Sequence, residues 1–273
     1  MTISRLGVYG RGRPARELSA VLAIAQRDLV KLLRDRPRLA VNLAFPILLV
    51  AGLGSVLQPT VGKVTGVSAV TLAFTGVLPA TLFQSTAAGM ISIAEDREND
   101  FSRALFVAPV TRLTLVTGKI CGEALVASFQ GGCVVAFAVA IGVRISGGQL
   151  AALALPCLAC CLLGGAFGLV TMVSLPNQRS AMDVFQFLII PQYVLGGVLV
   201  PLHGVPRYLD IIAGAMPLRY AVDLVRGAFL HGTPGYRQVV TTSPVLDAAV
   251  IGGLFAAAMT AGALIFDYRE RSR

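Results

Sequence analysis

Six long apolar runs constrain this chain more than any other feature. A helix that crosses a bilayer needs ~20 mostly apolar residues. The runs expected to span cover about residues 39–57, 67–94, 115–143, 150–173, 183–201 and 246–266. Two of them exceed the bilayer thickness, which implies tilt or interfacial ends. A soluble fold is excluded because only 14% of the 273 residues are charged, against about 25% in soluble domains. Disorder is excluded because 55% are hydrophobic, more than a disordered chain carries. The expected class is an all-α polytopic integral membrane protein with six transmembrane helices. An amphipathic interface helix precedes them, and short re-entrant helices lie before the last span. One membrane domain then fills residues 1–273: a cytoplasmic N-terminus (1–38), a six-span region (39–266) and a cytoplasmic tail (267–273).

The net charge of +9 would suggest nucleic acid in a soluble protein. Here the placement of the charges matters more than their sum. Nine Lys and Arg precede the first run, and the loop after it holds only Lys63. With the N-terminus inside, 17 of the 23 basic residues fall on the inner side. That asymmetry follows the positive-inside rule and places both termini in the cytoplasm. Anionic lipid headgroups then account for the basic balance without nucleic acid. No secretory signal peptide is expected, since residues 1–38 lack the short apolar core of one.

Four segments fall outside the plain spans. Residues 15–36 repeat Leu18, Val21, Leu22, Ala25, Leu29, Leu32 and Leu33 at helical spacing, ahead of Pro37. This amphipathic helix either anchors on the membrane surface or also meets a cytoplasmic partner. Residues 95–119 begin with the polar cluster Glu95, Asp96, Arg97, Glu98, Asn99 and Asp100. Phe101, Leu105, Phe106, Val107 and Pro109 follow, which predicts a short helix capped by its polar start. It reads either as a docking knob for a motor domain or as a solvated interfacial loop. In the region 183–232, Pro191, Gly196, Gly197 and Pro201 interrupt a simple span. Residues 205–215 are too short to cross and are read as re-entrant, before Met216-Pro217 and a helix bearing Tyr220, Asp223 and Arg226. Fourth, Ile145-Ser146-Gly147-Gly148-Gln149 imitates the signature of ABC ATPase domains. No phosphate loop accompanies it, so it is read as a Gly-rich turn.

Chemistry-bearing clusters are scarce. Cys157-x-x-Cys160 has no second pair, so no metal site is expected, and the five cysteines read as small free hydrophobes. Glu123 lies four residues beyond Lys119, which favours a local ion pair over a proton site. Asp183 is expected to cap the fifth span. Asn42, Gln84, Gln130, Gln186 and Gln192 either bind helix to helix or line a pathway, with packing the favoured role of each. Gly164-x-x-x-Gly168 is a weak packing signal in so Gly-rich a chain. His203 and His231 read as surface residues. With no catalytic set, an intramembrane lipid enzyme is disfavoured; without mid-membrane charges or inverted repeats, so is a secondary carrier.

The order of these elements resembles the permease subunits of type-2 ABC exporters, closest to the bacterial drug-resistance branch with daunorubicin-type permeases. That family carries an acidic run after its second span, then L-x-x-x-P-V-x-R and Gly-Lys; Leu105, Pro109, Val110, Arg112, Gly118 and Lys119 fit. Val200-Pro201, Met216-Pro217, Tyr220, Asp223 and Arg226 fit its late pattern, with Met where Asn is common. The resemblance implies an exporter of hydrophobic or amphipathic cargo, drug-like or lipid, in the cytoplasmic membrane of a bacterium. A cell-envelope lipid or polysaccharide exporter of the same architecture is the alternative. It further implies a second permease half, surrounding membrane lipid and a separate ATPase. ATP and Mg would sit in that ATPase, and this chain would hold no cofactor, metal or catalytic residue. Glu95, Asp96, Arg97, Glu98, Arg103, Leu105, Pro109 and Arg112 would couple to the ATPase. Residues 15–36 would be the connecting helix. Spans one, two and five would face the partner half, with Phe45, Phe83, Gln84, Gln186, Gln192 and Tyr193 along the substrate path.

Overall fold

The structure, a computed structural model, describes residues 13–98, 112–175, 177–202 and 205–271. Among the described residues the regular elements are all helices. They are α1 (Arg13–Arg34), α2 (Arg36–Thr65), α3 (Ala69–Glu98), α4 (Arg112–Ala140), α5 (Gly147–Ser174) and α6 (Gln178–Leu195). Two short helices, α7 (Arg207–Gly214) and α8 (Pro217–Phe229), follow. A single turn, α9 (Tyr236–Val239), precedes the last helix, α10 (Pro244–Arg271).

Among the described residues five helices are long and apolar enough to cross a membrane, through Leu39–Val56, Ala69–Ile91, Gly118–Ala140, Gly147–Thr171 and Pro244–Ala261. The expected fifth span forms α6, which is not among them. Gln178, Arg179, Asp183, Gln186 and Gln192 dilute its apolar content. Pro191 sits inside this helix without ending it. The break comes at Gly196 and Gly197, where Gly197 adopts φ +72°, a conformation that favours glycine. Asp183 does not cap α6; Asn177 does, its Oδ1 accepting the Ser180 N–H at 2.8 Å.

α3 is the central helix. Of its apolar stretch, 78% is buried, against 17% for α2 and 11% for α10. It packs against α2, α4, α5, α6 and α8. Its contact with α5 depends on small residues: a Cβ added to Gly164 would strike the Phe83 carbonyl, and one on Gly168 would strike that of Ala87. Without strong hydrophobic drive between helices in lipid, such close backbone approach supplies the dispersion energy of packing. Gly164-x-x-x-Gly168 is therefore a principal contact, not the weak signal its sequence context implied.

The Ile145–Gln149 segment is the expected turn. Ser146 caps α5 by accepting the Gln149 N–H, and Gln149 Oε1 accepts the Ser146 N–H at 3.0 Å in return. The Gln149 amide also donates to the Phe229 carbonyl at 3.0 Å, tying this turn to the end of α8.

Candidate functional site

The segment read as an ATPase contact joins α3 to α4. Glu95, Asp96, Arg97 and Glu98 lie in the last turns of α3, and Arg112 opens α4. Arg103, Leu105 and Pro109 lie outside the described residues. The apolar run of α3 lasts to Ala94, and the helix continues through the charged residues Glu95, Asp96, Arg97 and Glu98. At 1.5 Å per residue this charged end is about 6 Å long. α4 begins at Arg112, directly before the apolar residues Leu113, Leu115 and Val116. Both helices therefore carry charge at the ends that meet the same segment.

α1 packs beside this region. Ala25, Asp28 and Leu32 form its buried stripe, and the helix lies against α4. Its other apolar stripe, with Leu22, Val30 and Leu33, is exposed. Two of the three buried charges here come from α4. Lys119 donates to Asp28 Oδ2 at 2.9 Å and lies 2.6 Å from Glu123 Oε1. Arg27 donates to Asp28 at 3.1 Å. The Lys119–Glu123 pair follows from helical spacing alone. The Asp28 partner, 91 residues away in sequence, carries no such signal.

Three more buried charges lie at the other end of the bundle. Asp223 Oδ2 accepts the Thr241 N–H at 3.0 Å and the Thr242 N–H at 3.1 Å. Both threonine hydroxyls also reach it, and that of Thr242 contacts Asp247 as well. This carboxylate ties α8 to the chain that leads into α10. Arg226, one turn along, is 1% exposed, with Nε and Nη2 lacking hydrogen-bond partners. Its guanidinium lies beside Gly76 of α3 and the Gly197 turn. Tyr220 closes α7 against α8 by donating to the Gly214 carbonyl at 2.8 Å.

The six residues assigned to a path divide into groups. Tyr193 donates to Gln84 at 2.9 Å, and Phe45 packs edge-on against the Tyr193 ring at 6.0 Å. These three, from α2, α3 and α6, form one partly exposed patch. Phe83 is buried against Phe167 at 5.3 Å. Gln192 is buried too, and its Oε1 accepts the Leu218 N–H at 3.3 Å, fixing α6 to α8. Gln186 is exposed on α6. Of the histidines, His231 is exposed beside Tyr236, and His203 lies outside the described residues. Among the described residues, no group of three His, Cys, Asp or Glu is arranged to hold a metal.

Comparison with known proteins places this arrangement. Residues 19–230 match the family model described as ABC-2 type transporter. The chain is 30% identical over 207 residues to Nodulation protein J of Neorhizobium galegae, covering 71% of this chain and 74% of that one. It is 28% identical over 198 residues to Nodulation protein J of Rhizobium meliloti, covering 71% and 74%. It is 26% identical over 160 residues to the probable multidrug ABC transporter permease YbhR of Escherichia coli, covering 56% of this chain and 43% of that one. The matched range runs from the buried stripe of α1 through Tyr220, Asp223 and Arg226. The chain belongs to the ABC-2 type transporter family, whose members are membrane-spanning transport subunits that work with a separate ATPase.

Proposed function

We propose that this chain is the permease half of an ATP-driven exporter that moves a hydrophobic or amphipathic compound, drug-like or lipid, out across the bacterial cytoplasmic membrane. The observation that carries this reading is the charge placed where α3 ends and α4 begins: Glu95, Asp96, Arg97 and Glu98 in the last turns of α3 and Arg112 at the start of α4. Charged helix ends of this kind lie outside the hydrocarbon core, where a soluble ATPase can reach them. The contact is assigned to Glu95, Asp96, Arg97, Glu98, Arg103, Leu105, Pro109 and Arg112. ATP and Mg belong to the partner ATPase. In this reading α6 completes six spans, both termini are cytoplasmic, and α1 is the connecting helix. Two such halves pair within the lipid, alike or as sisters. The patch of Phe45, Gln84 and Tyr193 lines the path with Phe83, Gln186 and Gln192. Its mixture of rings and amides suits amphipathic cargo.

ATP binding draws the ATPase subunits together, and the coupling segments follow. The helices continuous with them carry that shift into the bilayer. The relative named as a probable multidrug ABC transporter permease supports transport without choosing the cargo; an envelope lipid or polysaccharide fits the same architecture. Co-purification with a separate ABC ATPase subunit tests the reading, together with export of a fluorescent phospholipid and an amphipathic dye. Glu98→Ala combined with Arg103→Ala is expected to lower both ATPase capture and export. Unchanged capture and export would remove the coupling role from this segment.

A further inference from the structure

The Gly118-Lys119 step has no part in the coupling reading above, yet its lysine is among the most enclosed charges of the chain. Lys119 is 6% exposed, Asp28 5% and Glu123 7%. Burying ions costs several kcal/mol each before pairing. These persist because their signs alternate: Arg27, Asp28, Lys119 and Glu123 form a chain of contacts at 3.1, 2.9 and 2.6 Å. The Lys119–Glu123 contact lies within one helix and needs no third member. The Asp28 contact joins separate elements, α1 and α4.

The surroundings leave little room for slippage. A Cβ on Gly122 of α4 would lie 3.1 Å from both the Ala25 Cα and Asp28 Oδ2. A Cβ on Gly89 of α3 would run into the Glu123 carboxyl. α1 thus meets the Lys119 ammonium through Asp28, and α3 closes on the Glu123 carboxyl that pairs with it. Lys119 is seven residues past Arg112, where α4 begins. Force entering at that end reaches Lys119 within about two helical turns.

We propose that Lys119 is a positioning residue for coupling: it clamps α1 to α4, against α3, so that motion of the segment before α4 carries these helices as one body. Without the clamp, α4 slides past α1, since packed helices shear by small steps when nothing charged fixes their register. The proposal rests on the exporter reading for the source of the motion, but the clamp itself does not.

Spin labels at Leu22→Cys on α1 and Leu125→Cys on α4, both exposed positions, test it by pulsed dipolar distance measurement in lipid nanodiscs. The background replaces Cys121, Cys133 and Cys157 by Ala, so that the more accessible native thiols stay unlabelled. In the otherwise native chain the distance is expected to be narrow, and the same before and after trapping of the ATPase complex with ADP and vanadate. In Asp28→Asn the distribution broadens, and trapping shifts its mean by roughly 1–5 Å, from a small helix shift up to a one-turn ratchet. A narrow, unshifted distance in Asp28→Asn would overturn the clamp. Broadening without a trapping shift would make the network structural only and overturn the positioning role, as would a trapping shift in the native chain. If Asp28→Asn does not fold, the neutral triple variant Asp28→Asn/Lys119→Met/Glu123→Gln is read by the same criteria. If the native chain captures no ATPase, the exporter reading fails, while the width measured on the permease alone still decides the clamp.

Discussion

The two ends of this bundle bury charge in opposite ways. At the α1 end, four side chains alternate in sign, and the central cation contacts two carboxylates. At the α8 end, Asp223 is satisfied by the backbone and hydroxyl donors of Thr241 and Thr242. Arg226 keeps two guanidinium nitrogens without partners. The first cluster joins helices through charge; the second ties a loop to a helix through a carboxylate that acts as a cap. Removing a charge from a closed ion chain strands its neighbours. Removing Arg226 from the second cluster takes a nearby opposite charge from Asp223 but breaks no direct ion pair, and the donors that hold Asp223 are neutral.

Three substitutions grade that contrast, each read as unfolding free energy in detergent micelles. Lys119→Met leaves Asp28 and Glu123 buried without their shared cation and is expected to cost about 3–5 kcal/mol, as when one partner of a buried pair is removed. Asp223→Asn keeps the shape and an accepting oxygen but loses the charge, for about 1–2 kcal/mol. Arg226→Met removes a cation with incomplete partners and fills its place with apolar atoms. Its effect is expected within about 1 kcal/mol, because apolar replacement of buried ions is often neutral. If Arg226→Met costs as much as Lys119→Met, the two ends do not differ in this way.

Much of this was legible in one dimension. The apolar runs foretell α2 to α5 and α10 because bilayer thickness dictates their length. Residues 15–36 show the helical period of α1, and Ser146 and Gln149 form a capping box readable three residues apart. The Lys119–Glu123 pair is likewise a matter of helical spacing. The coupling role proposed for Arg103, Leu105 and Pro109 stays a sequence reading, since they lie outside the described residues. The end of α6 was misplaced by sequence at about residue 201, because the apolar run continues past Gly196 and Gly197, where the turn ends the helix.

What the sequence determined alone, then, is that the chain must be helical and apolar enough for a membrane, and where local partners meet. Hydrophobic length and helical period act over a few turns, so they survive without knowledge of neighbours. Only the tertiary structure decided that α3 is central, that Gly164 and Gly168 carry its contact with α5, and that Asp28 completes the Lys119 pair. It also decided that Asp223 holds Thr241 and Thr242, and that Tyr193 reaches Gln84. Such partners are chosen by which helix faces meet. In an all-apolar chain that choice follows from close packing of small residues and from the few polar groups that must find one another, and neither leaves a period in the sequence.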